Sequence, residues 1–335
     1  MSAPDVSPPD PSRPERTGRS CLLVLGMHRS GTSALAGMLV HLGAAAPATP
    51  MAPHASNPRG FFESIPVRDL NDALLARLNS SWKDWRALPP GWHLQAGLED
   101  LLAEAEAVVG TEFGTAPLFV LKDPRICRLL PFWRRVLDRA GVQPLVVQTH
   151  RHPDEVAASL AARYGLDVAL SRLLWLRHQL EAEAGSRDLP RCFTSYERLL
   201  AAPEAEAGRL GHRFGLAADP GPASAFVAAG LRTQRDVAVP DLPAWLREAL
   251  AVFERWGALA GEDGPEGCAT LDRIRAEMDR AGDAFGSLLD GARSVADELR
   301  RAQRALTQCR ADRAQLRAAL GGGRDGTRGG VGDDA

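Results

Sequence analysis

The sequence is poor in everything that a metal centre, a disulfide framework or a membrane span would need. Its five cysteines, Cys21, Cys127, Cys192, Cys268 and Cys309, stand far apart, with no CxxC pair and no close Cys/His cluster. Neither a zinc site nor a set of disulfides is expected, and the five read as reduced, buried thiols in a cytosolic chain. No run approaches the ~18 uninterrupted apolar residues of a membrane span. The first residues are polar and Pro-rich without an apolar h-region, so no secretory signal is expected. Charge of one sign is also lacking: Lys+Arg is 40 against Asp+Glu 42, a net charge of -2. That balance removes the whole-chain basic field that nucleic-acid binding needs, while a local basic cleft stays open. What is present is ordinary globular composition over 335 residues, 45% hydrophobic and 24% charged. It predicts a cytoplasmic protein of one large or two ordinary domains.

Residues 1–19 have no apolar periodicity and are expected to form a disordered lead-in. From Cys21 to Leu25 a short apolar run ends in Gly26, the pattern of a buried parallel strand. A helical spacing follows through Ala34, Leu35, Met38, Leu39 and Leu42 and stops at Gly43. The same grammar recurs. Leu118–Leu121 precedes a helix near Leu129–Leu137, and Leu145–Val147 precedes one near Asp154–Arg163. A long helical stretch over Val168–Glu183 leads to a strand at Arg191–Ser195. Strands alternating with helices predict an α/β fold, a parallel sheet covered on both faces.

The most informative segment is Gly26-Met27-His28-Arg29-Ser30-Gly31-Thr32-Ser33, between a strand and a helix. Here an α/β protein binds phosphate, because backbone N–H groups converge on the partially positive helix N-terminus. The G-x-x-x-x-G spacing resembles a Walker loop, but Thr32 stands where that loop requires Lys, and Arg29 carries the charge instead. A second segment runs from Val146 through Arg151, His152 and Pro153 to Ser159. Pro153 suits a first helical turn, Asp154 and Glu155 complement its dipole, and His152 serves the turn. Arg151 and Ser159 are expected to reach one crevice and hold an anion by guanidinium and hydroxyl.

Together the two segments resemble the sulfotransferases that use 3'-phosphoadenosine 5'-phosphosulfate (PAPS). In that family a [KR]-S-G-T-[ST] loop grips the 5'-phosphosulfate, matched here by Arg29, Ser30, Gly31, Thr32 and Ser33. An R-x-P-x5-S element grips the 3'-phosphate, matched by Arg151, Pro153 and Ser159. Lys122-Asp123-Pro124-Arg125 is similar to the K-D-P element of tyrosylprotein and carbohydrate sulfotransferases. Ser195-Tyr196-Glu197 resembles the segment whose Tyr lies by the adenine, here Tyr196. The resemblance covers residues 20 to 260 and looks closest to bacterial members. It implies a three-layer, P-loop-like sheet flanked by helices in a domain over 20–262, with PAPS as donor and no metal. The K-T-H histidine segment of the cytosolic branch is not evident, which favours a carboxylate base.

Glu63, in Asn57-Pro58-Arg59-Gly60-Phe61-Phe62-Glu63, resembles the catalytic glutamate of Golgi-type members and is the expected base, with Arg59 as a partner. Burial beside Phe61 and Phe62 would raise its pKa. His54 is the rival base. Arg29 and Lys122 are assigned to the charge that builds on the departing bridging oxygen. Asp123 is expected to pair with Arg125 or Arg151. Trp82, Trp85 and Trp92 form either an acceptor platform or ordinary core, and Arg232 and Arg235 are further candidates for the 3'-phosphate.

Composition changes at Gly261–Pro265. Beyond it, apolar or small residues recur at alternating three and four spacings from Leu271 through Ala292, Val295, Leu299, Ala302, Leu306 and Cys309 to Leu316 and Leu320, broken by Arg313. A 3.5 repeat predicts a coiled coil over 266–320, firmest in 292–320 and pairing as a homodimer; a helix folding back on the domain is the alternative. Residues 321–335 are expected to be a disordered, Gly-rich tail. The expected activity is transfer of sulfate to a hydroxyl or amine acceptor, a carbohydrate, lipid or other metabolite, without nucleic acid or a membrane span. The rivals are a P-loop kinase and a non-catalytic nucleotide-binding scaffold acting through the coiled coil.

Overall fold

A computed structural model describes residues 18–54, 57–216, 219–228, 242–258 and 264–321. Four strands, β1 (Arg19–Leu25), β2 (Leu118–Lys122), β3 (Val142–His150) and β4 (Arg191–Ser195), form one sheet in the order β2-β1-β3-β4. All neighbours are parallel, with Leu22 opposite both Val120 and Leu145. Each expected strand is found, extended by a residue or more at β1, β2 and β3.

The helices are α1 (Thr32–His41), α2 (Ile65–Arg77), α3 (Glu99–Phe113), α4 (Ile126–Arg139), α5 (Pro153–Tyr164), α6 (Val168–Gly185), α7 (Tyr196–Ala201), α8 (Pro203–Phe214), α9 (Pro220–Ala228), α10 (Ala244–Ala258) and α11 (Pro265–Gly321). Strand residues alternate between the faces, as the pleat requires. Cys21, Leu23 and Leu25 share one apolar cluster with α2, α3 and α4, whereas Leu22 and Val24 share another with α1, α8 and α9. The architecture is therefore the expected three layers.

Strand order decides where a ligand goes. The chain leaves β1 toward β2 on one side and leaves β3 toward β4 on the other, so a crevice opens beyond the carboxyl ends of β1 and β3. The loop after β1 is the glycine-containing cradle, and the residue after β3 is Arg151.

The chain divides into two units, with the break between Asp279 and Arg280, inside α11. The first part of α11 belongs to the sheet-containing unit. Leu271, Ile274 and Met278 are buried, Arg187 pairs with Asp272 at 2.7 Å, and Arg177 pairs with Asp279 at 2.6 Å. These three apolar residues, counted in the 3.5 repeat of the sequence, are core. The thiols depart from expectation in part. Cys21, Cys127 and Cys192 are buried, but Cys268 is half-buried and Cys309 exposed, since the stripe that carries Cys309 lies outside the core. No helix among the described residues is long and apolar enough to cross a membrane.

Two histidines within the core make stability depend on acid. Burial pushes His150 from 6.5 to about 4. Burial, then the nearby Arg128, pushes His178 to about 3. Both stay neutral in the folded chain, while the unfolded chain protonates them below about 6.5. Their contribution is thus complete above that pH and is lost as pH falls through the folded values. Urea midpoints should drop on acidification from pH ~6.5 toward ~4.5. His150→Gln should flatten the stability-pH slope by about 1.4 kcal/mol per pH unit; an unchanged slope would contradict a neutral His150.

Candidate active site

The cradle is built by backbone that only glycine accommodates at two points. Gly26 has φ 151, and a Cβ there would lie 2.5 Å from the Thr149 carbonyl oxygen. Its N–H donates to Cys127 Sγ at 3.0 Å, tying the loop to α4. Gly31 has φ 83, and a Cβ would lie 2.5 Å from the Tyr196 ring. As N-cap of α1 it offers no side-chain cap, so the first-turn N–H groups are left for an anion. Arg29 between them also takes a left-handed φ of 70, a strained conformation for a residue with a Cβ. Its Nε donates to Ser159 Oγ at 2.8 Å and its carbonyl accepts from Arg151 at 3.5 Å.

A cleft of about 290 Å³ opens over this loop, lined by Arg29, Gly31, Thr32, Ser33, Glu63, Lys122, Arg151 and Tyr196 among others. Of the residues expected to hold the donor, two are missing from its wall: Ser30, fully buried, and Ser159, which stands behind Arg29 with 4% exposure. Arg151 lies with its guanidinium 4.8 Å from the Tyr196 ring centroid and pairs with Glu155 at 2.6 Å. His152 accepts the Asp154 N–H at 3.3 Å and thereby caps α5, the turn role read from its position.

Glu63 sits just before the Ser64 cap and Pro66 of α2, after Phe62 at φ 55. It is 6% exposed. Its partner is Lys122, whose ammonium also donates to Ser33 Oγ and the Phe61 carbonyl at 3.2 Å each. Arg59 is not that partner: its guanidinium lies 5.2 Å from the Phe226 ring centroid. Burial pushes the Glu63 carboxyl up, against the opposing pull of Lys122. Asp123 pairs with Arg125 at 3.1 Å, and Arg125 reaches on to Asp72 at 2.6 Å, so the alternative pairing with Arg151 is not made.

The rival base His54 is exposed, outside the cleft wall, with Nδ1 3.2 Å from an Arg163 nitrogen. Trp85 and Trp92 are core, whereas the Trp82 ring lies tilted against His28, centroids 4.5 Å apart, and edge-on to Tyr164 at 5.3 Å. Two buried guanidiniums hold the loop that carries it: Arg128 donates to the Ser81, Asp84 and Arg86 carbonyls, and Arg177 to that of Trp85. Arg232 and Arg235 lie outside the described residues.

Sequence reasoning missed Arg163, Tyr164, Arg68 and His28 in the wall. Arg163 was within reach, one helical turn after Ser159 on α5. His28 lies in the cradle segment itself; burial, then Arg125 and other cations, holds its imidazole neutral, well below the usual range. Seven cationic side chains line the cleft (Arg29, Arg59, Arg68, Lys122, Arg125, Arg151 and Arg163) against one carboxylate among the described residues, Glu63. Burial and the neighbouring Arg163 and Arg151 lower the Arg29 pKa, a cost that a bound polyanion relieves.

Compared with known proteins, residues 22–220 match the sequence profile of the sulfotransferase family. The chain belongs to that family. Among solved structures, a sulfotransferase, STF1, from Mycobacterium tuberculosis H37Rv is 17% identical with a TM-score of 0.38, over 63% of this chain and 71% of that one. The sulfotransferase domain of the Synechococcus PCC 7002 olefin synthase is 18% identical with a TM-score of 0.39, over 79% and 96%. The sulfotransferase domain of the curacin biosynthetic pathway is 15% identical with a TM-score of 0.38, over 78% and 97%. No curated protein matches.

In this sulfotransferase the cradle packs closely on Tyr196 at Gly31. Gly31→Ala forces the ring away and strains a left-handed position, with an expected loss of about 1–3 kcal/mol of stability. The sequence has only two tyrosines. In NMR spectra of tyrosine-labelled protein the Tyr196 signal should therefore move while that of Tyr164 stays; an unmoved Tyr196 signal would contradict the contact.

Proposed function

We propose that this sulfotransferase takes PAPS as donor and passes its sulfuryl group to a hydroxyl or amine of a carbohydrate, lipid or other small metabolite. The observation that carries the reading is the cationic cleft at the β1/β3 crevice, with an uncapped helix start at its floor and the Lys122–Glu63 pair at its wall. The residues fit a polyanionic nucleotide. The N–H groups of α1, with Arg29, Thr32 and Ser33, would hold the phosphosulfate, and Arg151 with Ser159 the 3'-phosphate. Tyr196, against Gly31 and beneath Arg151, would offer its ring to the base. Thr32 in place of a Walker Lys weighs against the kinase reading.

The donor supplies an activated sulfuryl group whose leaving group is a phosphate oxygen. Glu63 takes the proton of the acceptor as the acceptor's oxygen or nitrogen bonds to sulfur. The bond from sulfur to the bridging oxygen breaks with its electron pair going to 3',5'-adenosine bisphosphate. Lys122 and Arg29 stabilise that developing charge. One ion pair links the two roles. Lys122 neutralises Glu63 until a donor anion draws the ammonium away, and the buried carboxylate left behind is a stronger base.

Binding is tested by thermal unfolding. 3',5'-Adenosine bisphosphate should raise the melting temperature without magnesium, and 5'-AMP should do so far less. Arg151→Ala should weaken bisphosphate binding by about 1.5–3 kcal/mol, the loss of a charge-assisted contact. Equal stabilisation by 5'-AMP would overturn the donor assignment, and bisphosphate binding without transfer to any acceptor would favour the scaffold.

Chemistry is tested separately. Glu63→Gln should keep the affinity for the bisphosphate while turnover falls by about 10²-fold or more. His54→Ala should stay active; the reverse pattern would make His54 the base.

A further inference from the structure

Beyond Asp279, α11 continues as a helix that presents an apolar stripe to solvent. Six of the ten large apolar side chains exposed among the described residues lie on it: Phe285, Leu288, Val295, Leu299, Leu306 and Leu316. Their exposures run from 52% to 71%. The spacing is strictly seven-fold. Phe285, Ala292, Leu299, Leu306 and Arg313 take one heptad position, a, and Leu288, Val295, Ala302, Cys309 and Leu316 the other, d. A seven-residue repeat on one long helix is the seam of a supercoil, since a helix packed on a globular surface follows the 3.6 period. From Phe285 to Leu316 the seam runs about 48 Å at 1.5 Å per residue.

The flanking charges identify the occupant and its direction. Positions preceding a, the g positions, hold the acids Glu298 and Asp312, while those following d, the e positions, hold Gln303, Arg310 and Arg317. In a parallel pair of identical helices, g faces the e position of the next heptad on the partner. Asp312 then meets Arg317 of the second copy, and Glu298 meets Gln303, twice over by symmetry. In an antiparallel pair g faces g and e faces e. Every charged encounter of that arrangement is acid on acid or base on base, whatever the register. Arg313 at an a position meets its own counterpart in the parallel pair, a like-charge contact that lowers stability, while a single polar a residue restricts register.

We propose that a second copy of this chain covers the stripe, as a parallel, in-register, two-stranded coiled coil over residues 285–316. Parallel pairing sets each d residue against its own counterpart. Cys309, at a d position and exposed in the single chain, would therefore face Cys309 of the second copy. Of the other thiols, Cys21, Cys127 and Cys192 are buried and Cys268 is half-buried.

Light scattering on the full-length protein and mild oxidation with diamide test this together. Diamide accepts two electrons and two protons and becomes the hydrazine, as two Cys309 thiols form one disulfide. The expected results are a dimer mass in solution and a disulfide-linked dimer on a non-reducing gel. Cys309→Ser should abolish the crosslink and keep the dimer mass. Leu299→Asp with Leu306→Asp should give a monomer whose melting transition for the sheet-containing unit is unchanged. A full-length protein that stays monomeric at high concentration overturns the proposal, as does a double variant that remains dimeric. A dimer in which Cys309 does not crosslink overturns the parallel register. The nucleotide experiments above are read on the monomer and the dimer alike, so their failure is separate from failure here.

Discussion

Positive charges crowded around one cleft repel each other, and much of the surrounding structure is arranged to hold them there. A parallel sheet delivers its strand ends to a single edge, and each of the four strands ends at a residue or loop of that edge. β1 leads to the cradle with Arg29, β2 ends in Lys122, β3 leads to Arg151 and β4 to Tyr196. Carboxylates hold several of the cations: Glu155 holds Arg151, Asp72 and Asp123 hold Arg125, and Glu63 holds Lys122. Arg29 is held by a hydroxyl, that of Ser159, and by its own left-handed backbone. The positive field that remains favours negative charge in the cleft.

The Lys122–Glu63 pair gives that field a direction. A carboxylate at 6% exposure is costly to ionise alone, and a lysine at 3% exposure is costly to charge alone, so each sustains the other. The pair bridges two distant stretches of chain: Glu63 stands before α2 while Lys122 closes β2. Ser33 on α1 and the Phe61 carbonyl receive the remaining ammonium protons. Cradle, acidic segment and strand end therefore meet at one nitrogen. A displacement of that nitrogen disturbs all three at once.

Much of this was legible in the sequence because it is local. The apolar runs of β1 to β4, the glycines of the cradle and the Arg151-Pro153-Ser159 spacing each depend on neighbours a few residues away. Pairings across the fold were not legible. The partner of Glu63 is Lys122 rather than the nearby Arg59, and Asp123 takes Arg125 rather than Arg151, because the sheet edge sets those distances. Ser30 belongs to the motif but points into the core, since the turn closed by its N–H to the Met27 carbonyl leaves its side chain beneath the loop. The heptad spacing of α11 is continuous across Asp279, yet Leu271, Ile274 and Met278 are buried while the later stripe is exposed. Periodicity records that a face is apolar; only tertiary packing decides what covers it.

The loop that carries Trp82 shows how far from the cleft such decisions are made. Segment 80–86 has little regular structure, and a loop of that kind holds its shape only if its carbonyls find donors. Arg128 and Arg177, each 1% exposed, supply them from α4 and α6. A buried guanidinium needs several acceptors to offset its desolvation, and a loop needs several donors, so each solves the other's problem. The result sets Trp82 against His28 of the cradle. The Arg177 guanidinium that holds the Trp85 carbonyl also pairs with Asp279, the last residue of the sheet-containing unit. The first turns of α11 are therefore part of the scaffold that holds this loop against the cradle, independently of what pairs with the helix further on.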